Sequence, residues 1–86
     1  MNEQIARMKN QVYKILPLYE EESEWYHHLM MTVVELNGLH RLVRDPQIFS
    51  VICKLHGLNE EADKKIVRST VFRCLRILDD VQSSLR

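Results

Sequence analysis

The segment Asp45–Asn59, DPQIFSVICKLHGLN, constrains the chain more than any other. Asp45 is a helix-capping residue. Pro46 fits a first helical turn, where its missing N–H would be unpaired anyway. Gly57 can supply the left-handed residue that closes a helix. Between these signals lie Ile48, Phe49, Val51, Ile52, Cys53 and Leu55, which cover most of a helical wheel. The expectation is a short helix over Pro46–His56, buried on several sides, with the rest of the chain packed around it.

The flanking sequence also reads as helix. Ile5, Met8, Val12 and Ile15 form a narrow seam for a first helix over Asn2–Ile15, which Pro17 should end or kink at Leu16. The acidic run Glu20–Glu22 would open the next helix, since carboxylates favour its positive end; the alternative is a start one turn later, at Ser23 or Glu24. Its core stripe is Trp25, Leu29, Thr32, Val33 and Leu36, widened by Tyr26, Met30 and Val34. Asn37-Gly38 is either a stop followed by a short helical turn, or an interior point of a helix that runs on to Arg44. Asn59 should cap a last helix over Glu60–Ser83, with a seam of Val67, Thr70, Cys74, Ile77 and Val81 broadened by Ile66, Val71, Leu75, Leu78 and Leu85. Two glycines and two prolines leave little material for hairpins. The expected fold class is all-α, a compact bundle of four or five helices in a single domain over residues 1–86.

Charge excludes some partners. Twelve basic side chains balance twelve acidic ones, and neither half of the chain is strongly biased. Broad electrostatic attraction to nucleic acid or anionic lipid is therefore not indicated. The apolar runs are far short of the ~20 residues that span a bilayer. The N-terminus lacks the apolar stretch of a secretory signal, and two cysteines in apolar stretches read as buried free thiols. Together these place the protein inside the cell, in the cytoplasm or nucleus.

Few constellations point to chemistry. Cys53 and His56 lie one turn apart, and Cys74, His27, His28 or His40 would have to complete a metal tetrahedron. Only half of a paired zinc motif is present, so a buried thiol beside a structural histidine is the plainer reading and no cofactor is implied. His27 and His28 point about 100° apart on a helix and cannot easily share a substrate. Phosphate loops, nucleophile elbows and H-E-x-x-H are absent, so an enzyme is not expected. Lys64, Lys65, Arg68, Arg73 and Arg76 make a partial basic surface, thinner than counterion-driven binding usually requires.

Association is the remaining class. The chain holds more large apolar side chains than four short helices easily enclose. The expectation is a non-catalytic interaction or oligomerisation module that buries apolar helical faces, with Trp25, Tyr26, Phe72, Arg73 and Arg76 as contact residues. Another protein or a second copy would be the partner, a symmetric homodimer being the commonest geometry. The alternative is a small dimeric helical DNA-binding regulator.

Overall fold

Pro17 interrupts the first helical stretch without ending it. In the computed structural model, which describes residues 2–85, α1 spans Asn2–Tyr13 and α2 spans Ile15–Glu20, separated by Lys14 alone. Pro17 has no N–H to offer the carbonyl of Tyr13, four residues back, so the ladder lapses one turn before the proline. The backbone continues as Lys14 N–H donates to Asn10 O and Leu18 N–H to Lys14 O. Of the end or kink expected at Leu16, the structure has an interruption at Lys14, and α1–α2 form one interrupted arm.

The acidic run closes this arm rather than opening the next helix. Ser23 N–H donates to Leu18 O and Glu22 N–H to Tyr19 O, a Schellman pattern with Glu22 in the left-handed position at φ 53°. Carboxylates at a helix C-terminus oppose the macrodipole, and the Lys64 ammonium, 2.8 Å from Glu20, offsets part of that repulsion. Helix α3 starts only at Trp25 and runs to Val43. Asn37-Gly38 does not stop it. Gly38 is solvent-exposed within the helix, and the left-handed closing residue is Arg44, at φ 55°, whose N–H donates to His40 O.

Helix α4, Pro46–His56, has the expected start: Asp45 Oδ1 accepts from Gln47 N–H at 2.8 Å. Its end differs from expectation, because Gly57 stays right-handed at φ −75°. The helix also buries one face only. Ile48, Val51, Ile52 and Leu55 are inside, whereas Phe49 and Cys53 are exposed. Helix α5, Lys64–Ser84, begins four residues later than the capping signal at Asn59 implied. Asn59 Oδ1 accepts from Glu61 N–H and organises one isolated turn; Asp63 Oδ1 accepts from Ile66 N–H and caps the helix.

No strand occurs among the described residues, and the helices form an all-α bundle. Each of α1, α3, α4 and α5 packs against two of the others, in the cyclic order α1, α3, α4, α5, so α3 and α5 lie on opposite corners. Arg7 with Glu35, and His28 with Gln11, show α1 and α3 running antiparallel. Lys9 with Asp79, and Glu20 with Lys64, show the same for the arm and α5. The seam Ile5, Met8, Val12 and Ile15 meets Leu29, Val33, Leu36, Val67, Val71, Leu78 and Val81 in one core. Buried Thr32 is satisfied by its own helix, donating to His28 O.

Helix α4 is too short for its corner. Its 11 residues rise ~16 Å, whereas the 19 of α3 rise ~28 Å. The connection Gly57–Asp63 takes over the remaining length. Leu58 is buried, Ala62 packs on the core, and Tyr19 donates its hydroxyl proton to Ala62 O at 2.8 Å.

Candidate interaction surface

The five side chains that the sequence suggested for contact do not share a surface. Trp25 is only 8% exposed. Its ring stands edge-to-face with Tyr19 at 5.1 Å and with Tyr26 at 5.6 Å, so it clamps the turn between α2 and α3 from inside. That corrects its assignment as an outward contact residue: opening a helix beside a tight turn points it at the core. Tyr26 is half-buried and borders an open depression with Met30 and Glu60. Phe72, Arg73 and Arg76 lie exposed on α5, at the opposite corner from α3.

On α5 the Arg68 guanidinium sits 5.8 Å from the centre of the Phe72 ring. Among the described residues, Lys65, Arg68, Arg73 and Arg76 make no ion pair. The same helix carries Asp79, paired with Lys9, and Asp80, so the basic stretch is short.

The larger apolar surface is on α3. Met31, Val34 and Leu42 are 48%, 61% and 79% exposed, and with Gly38 they fall at i, i+3, i+7 and i+11. That spacing keeps all four on the outer side of one helix. A Cβ added at Gly38 would meet no atom within 4 Å, so the row has a notch at its middle. Glu35 and Arg41 are the only Asp, Glu, Lys or Arg residues in α3, and the Glu35 carboxylate is turned to Arg7 at 3.0 Å. Beyond Leu42 the surface dips into a groove of about 310 Å³ against α1, with Met8 and Leu39 among its lining. On the other flank, Phe49 lies against the His40 ring at 5.5 Å and is 52% exposed.

The row exists in the sequence only on the reading in which the helix runs through Asn37-Gly38. With the helix broken there, Leu42 has no fixed relation to Met31, and Val34 reads as a flank of the core stripe. The legible signal was the scarcity of charge from Trp25 to Val43.

The chemistry-bearing groups are dispersed. His28 Nε2–H donates to Gln11 O at 2.8 Å, against α1, while His27 is exposed. Cys53 and His56 are exposed on α4, and Cys74 is buried in the core, where desolvation pushes its thiol up to about 12. No group of three or more His, Cys, Asp or Glu side chains able to hold a metal ion occurs among the described residues. Nor is any of their helices long and apolar enough to cross a membrane.

The fold and this surface define a small four-cornered helical bundle with one apolar outer helix face. Comparison with protein families, with curated proteins and with solved structures gave no match.

Proposed function

We propose that the protein is a non-catalytic interaction module whose contact surface is the outer face of α3. The observation that carries this reading is the row Met31, Val34, Gly38, Leu42, apolar and open to solvent on a helix with two charged side chains. Helix α3 carries large apolar side chains on its outer side as well as its inner one, more than a helix with a single buried face needs. Here the chain covers only its inner side, and a partner would cover the rest. Contiguous exposed apolar patches are a feature of association sites, and the row supports that reading. The two free cysteines fit a reducing compartment, cytoplasm or nucleus.

Oxidation of methionine is the test. Met31 is exposed and Met8 is buried, so peroxide should oxidise Met31 much faster in dilute purified protein. In cells, where the partner is present, Met31 should be protected to a level near that of Met8, and Val34→Glu should abolish the protection. Equal Met31 reactivity in both settings would sink the module reading.

A DNA-binding regulator draws on the unpaired cations around Phe72 on α5. Steeply salt-dependent binding to duplex DNA, lost on Arg73→Ala and Arg76→Ala, would favour it.

A further inference from the structure

We infer that the occupant of the α3 face is a second copy of this chain, packed with its own α3 antiparallel to the first. The inference rests on the interaction-module reading and adds the partner. Knob and notch lie on the same face: Val34 stands out one helical turn before Gly38, where nothing fills the space of a side chain. About a two-fold axis level with Leu36, each Val34 falls at the partner's Gly38, and each Met31 falls within one residue of the partner's Leu42. The row is therefore complementary to itself, as a two-fold interface must be. Absence of a Cβ at Gly38 lets the two backbones approach closely there.

Charge and size agree with a self-partner. The chain has a net charge of +0, so two copies meet without net repulsion. Glu35 is neutralised within its own chain by Arg7, and Arg41, level with the partner's Met31, is exposed at the edge of the row, where its long stem lets the guanidinium reach water. The molecule measures 36 × 19 × 18 Å. One whole long side of each copy comes to roughly 1,400 Å² for the pair, so an interface centred on α3 has its ceiling at the lower end of the ~1,200–2,000 Å² of a specific interface.

The experiment is sedimentation equilibrium of the whole purified chain over a wide concentration range, with circular dichroism on each variant. Wild type should approach twice the chain mass of 10.3 kDa. Val34→Glu and Gly38→Leu should stay at the single-chain mass with undiminished helicity, since both positions are exposed. Phe72→Ala, on the opposite corner, should dimerise like wild type. In a Cys53→Ser background, mixing a Val34→Cys chain with a Gly38→Cys chain under a mild oxidant should give a disulfide-linked pair that neither chain gives alone. A wild type that is monomeric at every concentration overturns the inference. So does a dimer that survives both Val34→Glu and Gly38→Leu. Protection of Met31 in cells beside a strictly monomeric purified chain would remove the second copy and leave the module reading standing.

Discussion

Tyr19 holds Ala62 across 43 positions of sequence: its phenol O–H donates to the Ala62 carbonyl at 2.8 Å. The bond joins the interrupted arm to the connection that substitutes for the missing half of α4. Tyr19→Phe keeps the ring against Trp25 and removes only the donor, leaving the carbonyl unpaired. The expected cost is about 1–2 kcal/mol, read as a lower urea midpoint at one fixed, low protein concentration. An unchanged midpoint would mean that water satisfies Ala62 and that the connection is held by packing alone.

Trp25 and Phe72 should separate cleanly. Trp25→Ala empties the space between Tyr19 and Tyr26 and should cost about 3–5 kcal/mol, enough to leave so small a domain largely unfolded at room temperature. Phe72→Ala removes a half-exposed ring and its contact with Arg68, and should cost less than about 1 kcal/mol. Thermal melts by circular dichroism would rank them. Comparable losses would contradict the inward position of Trp25.

What the sequence revealed divides along physical lines. Apolar periodicity is set by burial, which is a property of many residues at once, so the seam of α1 and the all-α class were legible, whereas α4, with apolar residues around most of its wheel, gave no sign of which face would stay open. The seam Ile5, Met8, Val12, Ile15 is buried throughout. Helix ends depend on single residues, where context competes with propensity. Gly57 was read as a left-handed stop and Gly38 as either a stop or an interior residue, yet neither glycine has a positive φ; Glu22 and Arg44 take the left-handed positions instead. At Glu22 the turn packed under Tyr19 and Trp25 supplies that context, and nothing local announces it; at Arg44 the next helix, opened by Asp45-Pro46, sets the limit. The α3 surface hung on the open choice at Asn37-Gly38, since a face exists only if the helix is continuous.

Arg44 therefore carries strain that a glycine would relieve. A non-glycine residue at φ 55° costs roughly 1 kcal/mol. Arg44→Gly should raise the urea midpoint by about 0.5–1 kcal/mol in stability, even though glycine is costlier to order. Gly57→Ala is the companion test. At φ −75°, with the nearest atom to an added Cβ at 3.4 Å, alanine should be tolerated or slightly stabilising. A loss of 1 kcal/mol or more at Gly57 would instead restore the left-handed role that its sequence position suggested.

Cys53 and Cys74 should behave as two different kinds of thiol. Iodoacetamide at neutral pH should label Cys53 quickly and leave Cys74 untouched until the chain unfolds, as mass spectrometry would show. Burial is the cause: it favours the neutral thiol and lifts Cys74 from 9.0 to about 12, with the ammonium of Lys54 lowering it only in part. Because the folded value is the higher one, the folded chain binds more protons than the unfolded chain between those two pH values. Stability from this group is fully present below about pH 9 and is lost as pH rises toward about 12, by at most about 1.4 kcal/mol per pH unit. Cys74→Ala lacks that dependence. Its stability deficit against wild type should shrink above pH 9, whereas a deficit constant from pH 7 to 11 would show that the Cys74 thiol ionises as freely folded as unfolded.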